Sequence, residues 1–314
     1  MGTRVSRREM LMRTGAAAGV AAGLAAQRVE AGEAREPFRF CLNTSTIRGQ
    51  KLPLAEIVKI AARAGFQAIE PWLGEIQEHA RSGSLDDLRK LIADLGLTVE
   101  SAIGFAEWIV DDDARRARGL ETMRRDMELV ARIGGARIAA PPVGATDQPD
   151  LSLLRAAERY RAILEIGDQT GVVPQVEVWG FSRLLHRLGQ AAYVAIESGH
   201  PKACILADVY HLYKGGGPDP SGLRLLSGSS MHVMHVNDYP ASPPREQIED
   251  KHRVYPGDGV APLGRILRDL RDIGFRGALS VELFNPEYYQ QDALTVARTA
   301  LEKTRAAVRR ALAG

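Results

Sequence analysis

From Phe38 to the C-terminus the chain alternates short apolar, β-rich runs with longer segments whose apolar residues recur at helical spacing. Eight such runs are read, at 38–42, 68–72, 98–103, 136–140, 172–178, 204–209, 232–236 and 278–283. Helical patterns fall between them at 54–64, 85–95, 119–133, 152–170, 182–198 and 262–273, with a short one near 221–226 and a last one at 292–311. Gly65, Gly96 and Gly274 each follow a helical pattern and precede a new apolar run, where glycine supplies the left-handed turn that ends a helix. Eight βα units in one unbroken series predict an α/β fold, a single closed (β/α)₈ TIM barrel over 37–314. An open doubly wound sheet would present a Gly-rich phosphate loop after its first strand, but that position reads Asn43-Thr44-Ser45-Thr46. Gly215, Gly216 and Gly217 are expected to form a flexible active-site loop, and 104–117 and 239–259 are long enough to cover a site.

Residues 1–30 read as an address. Arg7 and Arg8 precede an Ala/Gly-rich apolar run over 14–26 that ends in small residues, the pattern of a cleavable export signal. The paired arginines resemble the bacterial twin-arginine signal, with Met10 where phenylalanine is usual. That resemblance implies passage through the twin-arginine machinery and a periplasmic or secreted protein. The run is too short to span a bilayer comfortably, and no later segment is apolar for that length. With 41 Lys+Arg against 39 Asp+Glu, the formal charge of +2 gives no field to attract nucleic acid or anionic lipid. The two cysteines, Cys41 and Cys204, lie far apart in apolar runs and read as packed free thiols.

In a barrel of this kind the C-terminal strand ends carry the chemistry. The last four runs end on Glu177, Asp208, His235 and Glu282, three carboxylates and one imidazole from neighbouring strands of one rim. Such a set suits a hard-to-borderline divalent cation, Mn²⁺ first, with Mg²⁺, Co²⁺ and Zn²⁺ as alternatives. Without a cation the carboxylates would repel one another. His232, three residues before His235, falls on the other strand face, and Asp238 is a further acid on the same run.

The segments Cys41-Leu42-Asn43-Thr44-Ser45-Thr46, Leu206-Ala207-Asp208-Val209-Tyr210-His211, Arg253-Val254-Tyr255-Pro256-Gly257-Asp258-Gly259 and Val281-Glu282-Leu283-Phe284-Asn285-Pro286-Glu287-Tyr288-Tyr289 resemble those of the xylose-isomerase-like sugar isomerase/epimerase barrels, and within them the inosose (2-keto-myo-inositol) isomerases. The resemblance covers nearly the whole chain after Pro37. It implies metal ligation by Glu177, Asp208, His235 and Glu282, the set already reached from strand ends. It also implies that His211 and Arg253 bind substrate. Glu70 and Trp72, at the end of the second run, are further candidates for sugar hydroxyls and an apolar wall, with Phe105 and Trp108.

The expected chemistry is proton transfer beside a carbonyl, with Glu177 and Glu282 as acid/base groups, isomerising or epimerising an unphosphorylated keto-sugar or keto-cyclitol. Elimination from the same enediolate, as in a lyase of 3-keto-glycosides or a dehydratase, is the alternative, and a non-catalytic periplasmic sugar-binding protein is a second. A DNA-repair endonuclease on this barrel would bring more histidines to the strand ends than this chain has. Besides the small-molecule substrate and the export machinery, further copies of the chain in a homo-oligomer are partners to consider.

Overall fold

A computed structural model describes residues 37–313 except Pro149. The export segment, with Arg7 and Arg8, lies outside the described residues. Eight strands run in parallel: β1 (Arg39–Asn43), β2 (Ala68–Glu70), β3 (Thr98–Val99), β4 (Arg137–Ala140), β5 (Val173–Glu177), β6 (Ile205–Asp208), β7 (Met231–Val236) and β8 (Ala278–Val281). They pair in the order β3-β2-β1-β8-β7-β6-β5-β4, so the first and last strands are neighbours and the sheet curls on itself. No ladder joins β3 to β4. There Ala102 bridges the gap, its N–H donating to Arg137 (3.1 Å) and its carbonyl accepting from Ala139 (2.8 Å). The third strand is therefore shorter than the 98–103 expected, because the chain leaves the regular pleat after Val99.

Helices cover the outside, and the main apolar core lies between them and the strands. Helix Leu54–Ala64 and helix Leu263–Asp272 give way to Gly65 (φ 94°) and Gly274 (φ 79°), the left-handed residues read as stops. Two helices were not anticipated. Leu73–Ser82 carries few apolar residues beyond Leu73 and Ile76, and Val209–Gly216 takes up two of the three glycines expected to form a loop. Gly215 is helical and packed, since a Cβ there would lie 1.8 Å from the His186 carbonyl oxygen. The helix expected at 119–133 begins earlier, at Asp113, with Asp112 capping the Arg115 N–H at 2.7 Å. Its first turns carry Arg115, Arg116 and Arg118 in place of an apolar stripe. The helix expected at 182–198 starts only at Leu188, after an irregular turn in which Leu185 has φ 55°. The segment near 221–226 is a single 3₁₀ turn, Ser221–Leu225.

The barrel interior changes character along its axis. Its lower layers are small or apolar, with Cys41, Ala68 and Ala278 together and Ala139, Leu206 and Val233 in a second group. Two residues further along five of these six strands the same inward face carries Asn43, Glu70, Asp208, His235 and Ser280, all completely buried. The period of two thus lifts a polar layer onto an apolar plug. Both cysteines are buried free thiols, and burial pushes Cys204 up to about 12. No described helix is long and apolar enough to cross a membrane.

Candidate metal centre

Asp208, His235 and Glu282 each offer a ligand atom within 4.8 Å of the others, at the C-terminal ends of β6, β7 and β8. His235 Nδ1 faces Glu282 Oε2 at 3.3 Å and Asp208 Oδ2 at 3.8 Å, both without hydrogen-bond alignment, and is left with no hydrogen-bond partner. The opposite ring nitrogen, Nε2, donates to Glu70 Oε2 at 2.9 Å. Glu70 Oε2 also accepts from Ser280 Oγ (2.7 Å) and Asn43 Nδ2 (3.0 Å). A histidine held in this way, one nitrogen to a carboxylate and the other bare, is arranged as a metal ligand with its orienting partner. Burial disfavours a charged imidazole, but Glu282 and Glu70 outweigh it and push His235 well above the usual range. Burial likewise works to raise Glu70, yet His235 and the hydroxyl and amide donors hold it below an ordinary carboxylate.

Glu177, at the end of β5, stands outside the tight trio. It is buried, with Oε2 unpartnered. Burial first, then repulsion from Glu282, Asp208 and Glu70, push it up to about 8, with His235 opposing. An unpartnered imidazole nitrogen, an unpartnered carboxylate oxygen and three mutually repelling acids are what a divalent cation would satisfy, so the donor set fits a metal.

Asp208 has a second task. As N-cap of the helix Val209–Gly216 it accepts the His211 N–H at 2.8 Å, which seats that imidazole beside the centre. His211 is pushed down to about 4 by burial, with Arg253 and His235 adding to it against Asp208 and Asp250. It is thus neutral at physiological pH. Its Nε2 lies 3.2 Å from Arg253 Nη2, a donor only, so Nε2 accepts and the ring proton belongs on the unpartnered Nδ1.

Arg253 arrives from the long segment after β7. Asp238 shapes that segment by accepting the N–H groups of Tyr239 (2.8 Å), Gly257 (3.0 Å) and Ala261 (2.8 Å), so it is a loop anchor and no ligand. The Arg253 guanidinium bonds to Asp208 Oδ2 (3.0 Å), Glu282 Oε2 (2.8 Å) and Asp250. It is nearly fully buried and lies over the Tyr210 and Phe284 rings.

The expectation that Glu70 reads substrate hydroxyls does not fit its place. It has no exposure, its Oε2 accepts from His235, Ser280 and Asn43, and only its buried Oε1 is without a partner. Trp72 does line the mouth, its Nε1 donating to Asn43 Oδ1 (2.9 Å) and its ring 5.1 Å from Phe105. Trp108 is instead core, with no exposure and its Nε1 bonded to the Pro141 carbonyl. His232 lies at the other end of its strand, apart from the centre. Sequence reasoning missed Asn43, which donates to Glu282 Oε1 (3.2 Å), and Asn237, which donates to Asp208 Oδ2 (2.9 Å). Asn43 lies two residues beyond the inward Cys41 on β1, and Asn237 two beyond the inward His235, just past the end of β7, the signal that would have found them.

The profile of the xylose isomerase-like TIM barrel family matches residues 58–307. An inosose isomerase of Halalkalibacterium halodurans is 31% identical over 271 residues, covering 85% of this chain and 95% of its own. A 3-dehydroshikimate dehydratase of Pseudomonas putida is 25% identical over 234 residues, 74% of this chain and 36% of that longer protein. Among solved structures, the IOLI protein with a bound zinc atom superposes with a TM-score of 0.81 at 22% identity, covering 88% of this chain and all (100%) of that one. By sequence, fold and the character of its strand ends, the chain belongs to the xylose isomerase-like TIM barrel family of sugar isomerases and epimerases.

Proposed function

We propose that the protein is a divalent-metal-dependent isomerase or epimerase of an unphosphorylated keto-sugar or keto-cyclitol. The observation that carries this reading is the pair of bare buried atoms, His235 Nδ1 and Glu177 Oε2, set among Asp208 and Glu282. A cation held by these four residues, Mn²⁺ in our reading, supplies electrophilic stabilisation to a ketone oxygen and its neighbouring hydroxyl.

The residues of the chain do the rest. Glu282 is kept ionised: burial alone would raise it, but His235 and Arg253 hold it low. In the metal-free protein Glu177 keeps its proton to about 8, and it gives that proton up on becoming a ligand. At the ends of β5 and β8, the two carboxylates can flank a bound substrate from two sides and exchange protons with it. Glu282 takes the proton from the carbon that bears the hydroxyl. For epimerisation Glu177 delivers a proton taken up from solvent to the opposite face of that carbon. For carbonyl migration Glu282 returns its own proton to the former carbonyl carbon while the hydroxyl proton passes to the former ketone oxygen. The Nδ1–H of His211 donates to a substrate oxygen. Arg253, already paired with three carboxylates, fixes Glu282 and has little charge to spare for a phosphate. The export pattern around Arg7 and Arg8 supports the same choice of substrate, since phosphorylated sugars are scarce outside the cytosol, where a protein so exported would act.

The dehydratase relative favours a second reading, in which the enediolate expels a β-substituent. One assay addresses both. Purified protein loaded with Mn²⁺ is incubated in deuterium oxide with a panel of keto-sugars and inososes. Deuterium entering beside the carbonyl with the carbon skeleton and all hydroxyls retained supports isomerisation; loss of water or aglycone supports elimination; no exchange on any of the panel contradicts the proposal.

A further inference from the structure

At the N-terminal ends of the strands, away from the carboxylates, a cavity of about 320 Å³ is lined by Arg39, Arg137, Ser229, His232 and Arg276. Arg39 and Arg137 open β1 and β4, and His232 is the second residue of β7. Glycines keep the floor free of side chains. A Cβ at Gly277 would lie 2.0 Å from the His232 carbonyl oxygen, and one at Gly228 only 2.3 Å from the Gly274 carbonyl carbon, so backbone packs on backbone there.

The charge of this cavity is not balanced by the residues around it. The carboxylate that faces it, Glu100, is buried and already accepts from Arg39 (2.7 Å) and Thr98 (2.8 Å). Arg276 makes one long bond, 3.4 Å, to the carbonyl of Phe275. Arg137, which is half-buried, has no hydrogen-bond or salt-bridge partner among the described residues. A half-buried guanidinium carries five N–H donors in a planar fork, and with no acceptor among the described residues those of Arg137 are available to an anion entering the cavity. Burial, with Arg137 adding its charge, pushes His232 down to about 4, so the imidazole is neutral and offers a further hydrogen bond.

We infer that this rim binds a phosphate group between Arg137 and Arg276, with Arg39, Ser229 and His232 completing its shell. Two guanidinium forks, a hydroxyl and an imidazole outnumber the lone pairs that one carboxylate can present, whereas the oxygens of a tetrahedral dianion accept from all of them. The site is independent of the sugar chemistry at the opposite rim and does not rest on the proposed activity. Its ligand is either the free ion or the terminal group of a phosphate ester.

The test is isothermal titration of the full chain with inorganic phosphate, and separately with glycerol 3-phosphate, at constant ionic strength. Saturable binding at one per chain is expected, with a Kd of about 1 mM or tighter. The double substitution Arg137→Gln and Arg276→Gln weakens it at least about tenfold by removing two charge-assisted contacts. An unchanged circular dichroism spectrum and urea denaturation midpoint certify that the variant is folded. Binding of both probes places an ester's terminal group in the site; binding of phosphate alone limits it to the free ion. Absence of saturable binding of either, or equal affinity in the double variant, overturns the inference.

Discussion

His235 and Glu70 lie 2.9 Å apart, Nε2 to Oε2, with neither side chain exposed to solvent. The contact fixes which nitrogen of the imidazole faces the centre, because the proton on Nε2 is committed to the carboxylate and Nδ1 is turned toward Asp208 and Glu282. Ser280 and Asn43 lock Glu70 in turn, so the ligand is oriented from three other strands.

Glu70→Gln removes the charge behind the imidazole while an amide oxygen can still accept from Nε2. Metal affinity is expected to fall about tenfold, the low end of the range for such orienting partners. Titration calorimetry with Mn²⁺ measures it. Unchanged affinity would show that Glu70 does not govern the ligand.

Metal uptake is expected to release protons. Glu177 holds its proton to about 8 in the metal-free protein, and His235 is pushed well above its usual range, so both must deprotonate to ligate. The sign follows: apparent affinity rises with pH while these protons are being displaced, and Glu177's share of that rise levels off above about 8. Calorimetry in buffers of different ionisation enthalpy counts the protons, and Glu177→Gln lowers the count by about one.

Two adjacent glycines in the helix Val209–Gly216 respond oppositely to alanine. At Gly216 nothing lies within 4 Å of an added Cβ, and the substitution is expected to stabilise by up to about 1 kcal/mol. At Gly215 the Cβ meets the His186 carbonyl at 1.8 Å, and the same change destabilises by about 2 kcal/mol or more. Urea denaturation of both variants checks the pair. Equal shifts would show that this helix does not pack on His186.

Asp126 lies buried on the helix Asp113–Arg132, accepting from Gln77 at 3.2 Å, and burial pushes it up to about 6. A carboxyl raised on folding favours the native state while protonated. Stability is therefore lost as pH climbs from about 4 to about 6, and the penalty persists above that. Asp126→Asn is expected to gain about 1–2 kcal/mol at pH 8, allowing for partial solvation, and little at pH 4.5. A gain independent of pH would contradict the assignment.

The barrel and most of the centre were legible because both obey simple periods. Eight apolar runs gave eight strands, and the acids and imidazole that end β5 to β8 face inward by the period of two. The elements that escaped were those without apolar rhythm. Helix Leu73–Ser82 is polar over most of its length, and helix Val209–Gly216 ends in two glycines, of which Gly215 is there for close packing, a pair that reads as flexibility in a sequence. Glu70 was placed on the right strand end, but its role depends on a contact with His235, 165 positions away, that no local pattern encodes. That Asp208, His235 and Glu282 form a close trio with Glu177 outside it depends on distances across four strands, which no local pattern encodes.

The most direct test of the central claim is the stoichiometry of Mn²⁺ binding, followed by electron paramagnetic resonance of the free ion, in the wild type and in His235→Gln. One tightly bound ion per chain is expected in the wild type. Its loss is expected in the variant, with circular dichroism unchanged. An equal, tight uptake by both proteins, or none by the wild type, would contradict a metal centre built on Glu177, Asp208, His235 and Glu282.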